Sequence, residues 1–462
     1  MGAEKDIIVA VELGSQAIRA VAGRREPDGT MQVLAIARED ASNAIRKGLV
    51  DNIDKTTQAI SHVVRTLNEK LGIYTTRIYV GLAGQSLHTK LNVVPYQLIE
   101  KSQITAGMVD QMMEINSGVV YPDSKILDVV PQEYKVGNRR IADPVGMMSE
   151  SLEAHFMNVV ARNSLSENIE RCVRNSGLEL AELLISPICL ADSLLSSNEK
   201  RSGCALVDFG ADTTTILVYT NNILRHLAVI PLGGSNVTSD IASKGLEMEE
   251  AEEIKLKYGT AFLSPSTEEA KSHDIKLSFG RSISEEELQE IIEARYEEII
   301  FNAKNQIKDY NDKLLSGIML TGGASRISGL VEAFTGTLHF DKQVRVSKAL
   351  PNNIVLAPGV TIPESENLNT LFALLLKGDQ NCIGEPPVSK EPEPVQATLD
   401  FEQDKPSEES SEAEAEAVNP SNAKEAEAED AAEEKMPKPG IKKKVRSLWN
   451  VLNQMLTDPE DE

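Results

Sequence analysis

Two acidic residues, each at the end of an apolar strand and each followed by a glycine turn, are the residues of this sequence best placed to do chemistry. Glu12 follows an apolar run that starts at Ile7 and stands two residues before Gly14, and Asp208 follows a second apolar run and stands two residues before Gly210. Another apolar run comes after each turn, which predicts two strand–turn–strand hairpins whose glycines let the backbone approach a ligand. Amide groups that point into one concavity bind anions. The repeat therefore predicts two similar lobes that hold one polyphosphate between them.

Composition predicts a folded α/β protein with an acidic segment near its C-terminus. The chain has 462 residues, enough for two or three domains, and strand-like and helical stretches alternate along it. Its net charge of −24 is uneven, because residues 380–439 alone carry 17 acidic and 5 basic residues. The mildly acidic remainder argues against a nucleic-acid surface. The four cysteines form no CxxC pair and the six histidines are scattered, which favours reduced thiols and no metal cluster.

The termini and hydropathy predict a protein that stays in the cytoplasm. The first residues lack the basic start and apolar stretch of a signal peptide, and no run of about 18 apolar residues would span a membrane.

Changes of pattern along the chain predict its organisation. Residues 87–162 combine strands with a helix at Ala106–Ser117, and Ser284 opens a later helix with a capping-box sequence. A strand and glycine turn at 318–325 precede a predicted helix at 327–334, and a last apolar helix covers 368–377. The predicted boundaries are 1–86 for the start of the first lobe, 87–162 for an inserted subdomain, 163–202 for the rest of that lobe, 203–235 for the start of the second lobe, 236–313 for a mostly helical region, 314–379 for the end of the second lobe and a closing helix, 380–439 for a linker and 440–457 for a C-terminal helix.

The linker predicted at 380–439 contains 8 of the 20 prolines and one aromatic residue, Phe401. Such a segment buries too little apolar area to offset its chain entropy. We expect a disordered spacer with a reach of roughly 45 Å.

The last segment, 441–456, has the apolar spacing of one helix stripe next to a basic cluster. It has three possible uses: lying in a membrane interface, entering a partner's groove, or docking on its own globular part. The long acidic spacer weakens the third, and we favour the membrane. The predicted membrane-binding residues are Ile441, Lys442, Lys443, Lys444, Val445, Arg446, Leu448, Trp449, Leu452, Met455 and Leu456.

Several blocks together resemble the FtsA family of bacterial cell-division proteins, a divergent branch of the actin-like ATPases. The resemblance covers nearly all of residues 5–378. Its most specific blocks are Val129-Val130-Pro131-Gln132-Glu133-Tyr134, Asp143-Pro144-Val145-Gly146-Met147, Leu224-Arg225-His226, Val237-Thr238-Ser239-Asp240-Ile241-Ala242, Ile292-Glu293-Ala294-Arg295-Tyr296 and Leu320-Thr321-Gly322-Gly323-Ala324. It implies an actin-like two-lobed α/β fold with an inserted α+β subdomain, followed by a disordered linker and a C-terminal amphipathic helix.

The resemblance also implies a site for ATP and Mg²⁺ made from three turns. The implied nucleotide-binding residues are Gly14, Ser15 and Gln16 in the first turn, Gly210, Ala211, Asp212, Thr213 and Thr214 in the second, Gly322, Gly323 and Ala324 in the third, with Gly233, Gly234 and Lys255 beside them. Glu12 and Asp208 are the implied metal-side acids. Lys255 and Glu252 are three apart, so they could instead form a simple helix-surface pair, a reading we favour slightly for Glu252 only.

Departures from the family pattern bear on hydrolysis. Glu12 stands where actins have aspartate, as is common in FtsA proteins, and Asp212 places a carboxylate in or near the phosphate concavity. Thr215 and Ser186 stand where relatives have carboxylates that could orient water or metal. We therefore expect ATP binding with weak hydrolysis at most, and assign no catalytic residue.

The resemblance implies a protein that anchors the FtsZ ring to the cytoplasmic face of the membrane at the division site and self-associates in filaments. The implied partners are the C-terminal peptide of FtsZ, further copies of the chain, anionic lipid and downstream division proteins, without nucleic acid. Arg281, Arg295 and Glu298 match the FtsZ-docking surface, although Arg295 and Glu298 could merely pair within one helix. The alternatives are an actin-like scaffold of another envelope or pilus machine and, more distantly, a sugar kinase.

Overall fold

The computed structural model describes residues 6–41, 43–262, 274–277, 281–336, 342–347, 350–363 and 366–385. The chain forms two units, 1–389 and 390–462. The second unit, which includes most of the predicted linker and the whole predicted C-terminal helix, lies outside the described residues.

Nineteen strands and ten α-helices are defined within the described ranges. The strands are β1 (Ile7–Leu13), β2 (Ala17–Arg25), β3 (Met31–Asp40), β4 (Ile45–Arg46), β5 (Leu49–Val50), β6 (Arg77–Leu82), β7 (His88–Gln103), β8 (Ser124–Val136), β9 (Arg139–Ile141), β10 (Met148–Arg162), β11 (Glu179–Ile185), β12 (Cys204–Phe209), β13 (Thr214–Thr220), β14 (Ile223–Ile230), β15 (Asp274–Lys276), β16 (Ser282–Ser284), β17 (Ile318–Thr321), β18 (Val344–Val346) and β19 (Ile354–Leu356). The helices are α1 (Ile53–Leu71), α2 (Ala106–Ser117), α3 (Asn163–Asn175), α4 (Ser186–Leu194), α5 (Ser197–Ser202), α6 (Gly234–Ala242), α7 (Met248–Tyr258), α8 (Glu285–Ile307), α9 (Leu330–Gly336) and α10 (Asn369–Lys377), with 3₁₀ helices at Lys308–Lys313 and Gly323–Arg326.

The two lobes repeat one sheet topology. In the first lobe the strand order is β3-β2-β1-β6-β11, with β19 added beside β3, and in the second it is β14-β13-β12-β17-β18. Each lobe begins with an antiparallel three-stranded meander and adds two strands parallel to its first strand. The prediction of two similar lobes is confirmed, and the carboxyl ends of the first strands, β1 and β12, lead into the two glycine turns.

The first lobe is held by helices that cover its sheet. In α1 the buried residues Ile60, Val63 and Leu67 recur at helical spacing and join the core of the sheet. Asn52 caps the start of this helix by accepting a hydrogen bond from the Lys55 amide at 2.9 Å, and Gly72 ends it at a positive φ of 64°.

The second lobe has its own core beneath α8. Tyr296, Ile300 and Ile307 are buried along one face of this long helix, where they pack against the sheet residues of β12 and β13. Ser284 caps the helix by accepting from the Glu287 amide at 3.1 Å, as the capping-box sequence predicts.

The inserted subdomain is a separate small core on three long strands. β10 pairs antiparallel with both β7 and β8, and α2 covers them by burying Met112 against Phe156 and its neighbours. The helix has the bounds expected from sequence. One strand pair, Ala228 with His88, and hydrogen bonds from Thr89 and Gln132 to backbone carbonyls of β14 join this sheet to the second lobe.

Two boundaries differ from the predictions. The helix expected from 327 begins only at Leu330, because Gly329 adopts a φ of +71°, outside the helical region. The globular part also continues past 379, where the linker was expected to start. Cys382 is fully buried and its amide donates to the Ile7 carbonyl at 2.8 Å, while Gly384 donates to Tyr74 at 3.0 Å. These hydrogen bonds to distant segments of the chain leave no local sequence signal.

Candidate functional site

The two glycine turns have the same backbone construction. Across the first hairpin Glu12 lies opposite Arg19, and across the second Asp208 lies opposite Thr215 at the same spacing. Both turns begin two residues after the acid, where β1 and β12 end.

Glycine is required at the start of each turn. The Gly14 amide donates to the carbonyl of Ala17 at 3.2 Å, and the Gly210 amide donates to the carbonyl of Thr213 at 2.8 Å. A Cβ at either glycine would stand 2.8 Å from that same carbonyl oxygen. The equivalence inferred from sequence therefore extends to individual hydrogen bonds.

The third turn contains two glycines with different roles, and the first of them, Gly322, lies next to Asp208. Gly322 has a φ of +93°, and a Cβ there would lie 2.3 Å from Asp208 Oδ1 and from the Phe209 carbonyl oxygen. At Gly323 no heavy atom comes within 4 Å of an added Cβ. Gly322 is thus needed for close packing, whereas Gly323 presents an open face to the cavity.

The three turns meet at one cavity of about 490 Å³ between the lobes. Most of the predicted site residues line it: Glu12, Gly14, Ser15, Gln16, Asp208, Gly210, Ala211, Thr213, Gly234, Lys255, Gly322, Gly323 and Ala324. Residues more than 300 positions apart are therefore brought to one place.

Two predicted residues support the wall from behind. Thr214 is fully buried and its Oγ1 donates to the Leu232 carbonyl at 2.8 Å. Gly233 precedes α6, and a Cβ there would lie 2.4 Å from the Ala211 carbonyl oxygen. They fix the second turn without facing the cavity.

The carboxylate of Asp212, expected in or near the phosphate concavity, points elsewhere. Its Oδ2 accepts a hydrogen bond from the Lys47 amide at 3.0 Å, in the turn between β4 and β5. An available backbone donor across the cleft draws the side chain away from the turn amides.

Glu12 and Asp208 place two buried carboxyl groups side by side at the cavity. Burial, opposed by Arg19 and reinforced by Glu366, raises the pKa of Glu12, and its shielded Oε2 accepts no hydrogen bond from the described residues. Burial and the Glu12 carboxylate raise the pKa of Asp208 to about 7. Poorly compensated carboxylate oxygens of this kind fit a hard divalent cation such as Mg²⁺, although no cluster of three candidate ligands occurs within the described ranges.

Sequence reasoning missed an ion-pair network at the first turn. Arg19 Nη1 lies 4.0 Å from Glu12 Oε2, and Arg19 Nε lies 3.3 Å from Glu366 Oε2, whose other oxygen is 3.1 Å from Arg38 Nε. Arg19 Nη1 also stands 3.6 Å from the position of a Cβ on Gly14, so it flanks the turn. The available signal was Arg19, a cation within the apolar first part of β2, but the sequence offers no way to pair it with Glu366.

The helix pair considered for Lys255 and Glu252 is present, and the role of Lys255 beside the nucleotide stays a prediction. They pair at 2.5 Å, and both also line the cavity. Lys255 Nζ further donates to Thr238 Oγ1 at 2.9 Å and to the Gly234 carbonyl at 3.2 Å, which ties α7 to the start of α6.

The carboxylates that line the cavity among the described residues are Glu12, Asp208, Glu252 and Glu366. Ser186 and Thr215 also line it, at the positions where relatives were expected to have acids. Neither hydroxyl offers a general base comparable to a carboxylate.

The residues assigned to a partner surface are already engaged in ion pairs. Arg295 donates to both oxygens of Asp240, at 2.6 and 3.1 Å, and also to Glu298. The hydrogen bonds to Asp240 raise the pKa of Arg295. Arg281 Nη2 lies 3.3 Å from Glu250 Oε2. The helix pair considered for Arg295 and Glu298 is present, and the side chain of Arg295 remains about a quarter exposed (26%).

The predicted membrane-binding residues from Ile441 to Leu456 lie outside the described residues. Elsewhere in the chain, no helix of the described ranges is both long and apolar enough to cross a bilayer.

Comparison with solved structures shows the fold. The PilM–PilN type IV pilus biogenesis complex contains a chain that matches with a TM-score of 0.57 and 16% identity, over 80% of this chain and 96% of that chain. At this identity the likeness concerns architecture alone.

Sequence comparisons show the family. Residues 205–364 match the profile described as Cell division protein FtsA, and residues 84–160 match the SHS2 domain inserted in FtsA. The cell division protein FtsA of Pseudomonas aeruginosa is 31% identical over 347 residues, 74% of this chain and 83% of that protein. FtsA of Porphyromonas gingivalis is 30% identical over 387 residues, 81% of this chain and 79% of that protein. The chain therefore belongs to the FtsA family of cell division proteins, with an actin-like fold and an inserted SHS2 domain.

Proposed function

We propose that this protein binds ATP with Mg²⁺ between its lobes, self-associates in filaments, and anchors the FtsZ ring to the inner face of the cytoplasmic membrane. The observation that carries the nucleotide part is the convergence of three glycine turns and two acids, Glu12 and Asp208, on one cavity. Amides of such turns bind phosphate oxygens, and side-chain-free positions allow a purine to lie against the chain.

Each wall of the cavity has a distinct role in this proposal. The amides that follow Gly14 and Gly210 bind the phosphates, and Arg19 adds a positive charge beside the first turn. Glu12 and Asp208 would hold Mg²⁺, which supplies charge neutralisation at the phosphate oxygens when bound. The third turn and α7, through Lys255, receive the nucleoside end.

Hydrolysis is expected to be weak. Thr215 and Ser186 supply hydroxyls where an attacking water would need a carboxylate to orient it. The expected steady-state turnover lies below about 1 per second, slower than a typical kinase.

The partner surface is proposed to lie where α6 meets α8. An acidic C-terminal peptide of FtsZ would be attracted to Arg295, but it would compete with the bidentate contact to Asp240. Charge reversal at Arg295 alone would therefore also break a contact inside the protein.

A charge-swapped pair separates these two effects. Arg295→Asp should lower both stability and peptide affinity, whereas Asp240→Arg combined with Arg295→Asp restores an internal pair of reversed polarity. We expect the double variant to recover its melting temperature and still bind the peptide about 10-fold more weakly, by fluorescence anisotropy at physiological salt. Wild-type affinity in the double variant would remove Arg295 from the docking surface.

The membrane role rests on the sequence of the last segment. Four bases near anionic headgroups contribute about 1 kcal/mol each, and burial of Leu448 and Trp449 adds about 2 kcal/mol apiece before the cost of helix formation. A single tail then binds moderately, and a filament that presents many tails binds tightly through avidity.

Trp449 is the only tryptophan, so its fluorescence reports this event alone. Its emission should shift to the blue with vesicles rich in anionic lipid, less with neutral vesicles, and less again as salt rises. Leu448→Glu should abolish the shift, with Leu448→Met as the matched apolar control. If vesicle binding persists after truncation at Gly440, the tail is not the membrane anchor, and it would then be assigned to the groove of a protein partner.

A further inference from the structure

The turn between β4 and β5 touches both phosphate turns. Lys47 and Gly48 have consecutive positive φ angles of 51° and 72°, the conformation of a two-residue hairpin turn with left-handed centre. The Lys47 amide donates to Asp212 Oδ2 at 3.0 Å, and the Gly48 amide donates to Ser15 Oγ at 3.1 Å.

This hairpin is fixed to the first lobe. A Cβ on Gly48 would stand 2.7 Å from Gly84 Cα, so the two backbones are in close contact. The Gln85 amide donates to the Lys47 carbonyl at 3.1 Å. The Lys47 amide is therefore a donor held in place by the first lobe, and Asp212, in the turn between β12 and β13, is an acceptor held by the second.

We propose that Asp212 is a positioning residue that clasps the two lobes together at the phosphate end of the cavity and slows nucleotide release. This inference rests on the proposed nucleotide site. Release from the cavity requires the two phosphate turns to separate, and separation breaks the hydrogen bond between Asp212 and Lys47. A carboxylate acceptor makes this bond stronger than one between neutral groups.

The clasp also explains why a carboxylate is tolerated beside a phosphate turn. With its oxygen turned to the Lys47 amide, Asp212 leaves the lining to Gly210, Ala211 and Thr213. The position adds a contact between the lobes without adding a charge to the concavity.

Release of a fluorescent ATP analogue from the full-length protein with Mg²⁺, followed by stopped flow, tests the proposal. We expect Asp212→Ala to release the analogue about 10-fold faster than wild type, and Asp212→Asn, which keeps an oxygen acceptor without the charge, to fall between them. Lys47→Asn is the matched control, because it removes the lysine charge, suits the left-handed turn and keeps the backbone donor. It should release at the wild-type rate.

Hydrogen exchange at the Lys47 amide gives a second readout that needs no nucleotide. In the nucleotide-free protein this amide should exchange faster in Asp212→Ala than in wild type. Unchanged release in Asp212→Ala would overturn the clasp, whatever the exchange shows. If wild type binds no ATP analogue, the proposed nucleotide site fails, and unchanged exchange would then overturn the contact between the lobes as well.

Discussion

The first and second glycine turns have the same backbone hydrogen bonding but differ in the charge of their side chains. In both, a glycine amide closes the turn on the carbonyl three residues later, yet the acid of the first turn faces Arg19 whereas the acid of the second faces Thr215. Arg19 opposes the rise in the pKa of Glu12, while burial and Glu12 together raise the pKa of Asp208 to about 7.

The two copies of the turn therefore have the same backbone conformation but not the same charged side chains. Amide geometry suits the phosphates of any nucleotide and is kept in both copies. The charged side chains differ, because the acid of the first turn, Glu12, lies opposite a cation, whereas the acid of the second, Asp208, lies opposite the uncharged Thr215. The lobes thus present the same turn backbone with a different set of charged side chains to one cavity.

The equivalence of the backbones predicts the largest effect. Gly14→Ala and Gly210→Ala each place a Cβ 2.8 Å from a backbone carbonyl oxygen that cannot move freely. We expect each to lower the free energy of unfolding by about 2 kcal/mol and to abolish nucleotide binding. Urea denaturation of the two variants side by side measures this, and a cost confined to one of them would break the equivalence.

The charge difference predicts a pH effect for the second turn. The folded pKa of Asp208, about 7, exceeds its ordinary value near 3.8, so between these values the native state keeps a proton that the unfolded state releases. Stability should therefore fall as pH rises from about 4 to 7 and stay level above that window. Asp208→Asn should remove this loss and stabilise the nucleotide-free protein at pH 8 by up to roughly 4 kcal/mol.

The matched variant is Glu12→Gln. Arg19 already offsets part of the charge of Glu12, so this variant should gain less stability at pH 8 than Asp208→Asn does. Thermal unfolding from pH 4 to 8 compares the variants, and added Mg²⁺ should stabilise wild type more than Asp208→Asn. Equal pH profiles of stability for wild type and Asp208→Asn would contradict the assignment of the raised pKa to Asp208.

How far the sequence predicts this site depends on the distance between interacting residues. The hairpins, the bounds of α2 and the three glycine turns follow from local patterns such as strand alternation and turn glycines. The Lys47–Gly48 turn, the pairing of Arg19 with Glu366 and the docking of Cys382 on β1 depend on contacts between distant segments. No periodicity encodes those contacts.

The cation of the first turn predicts the smallest effect. Arg19→Gln removes a positive charge beside Gly14, whereas Thr215→Val changes only a hydroxyl at the equivalent position of the second turn. We expect Arg19→Gln to weaken ATP binding by about 10-fold and Thr215→Val by less, because a charge next to phosphate is worth more than a neutral group. Calorimetric titration at two salt concentrations should show that ATP affinity depends more strongly on salt in wild type than in Arg19→Gln. Equal losses of ATP affinity in Arg19→Gln and Thr215→Val would remove the distinction between the turns.

Thermal unfolding with and without Mg-ATP tests the central claim, that the cavity between the lobes is a nucleotide site. Ligand that binds only the folded state at about 100 times its Kd stabilises it by about 2.7 kcal/mol, so Mg-ATP should raise the wild-type Tm. Gly323→Asp projects a carboxylate into open space, since no atom lies within 4 Å of a Cβ there, and should keep the wild-type Tm without ligand and lose the rise. Gly323→Asn, of equal size and no charge, should keep part of it. A wild-type Tm that does not change at millimolar Mg-ATP, or a full rise in Gly323→Asp, would contradict the account.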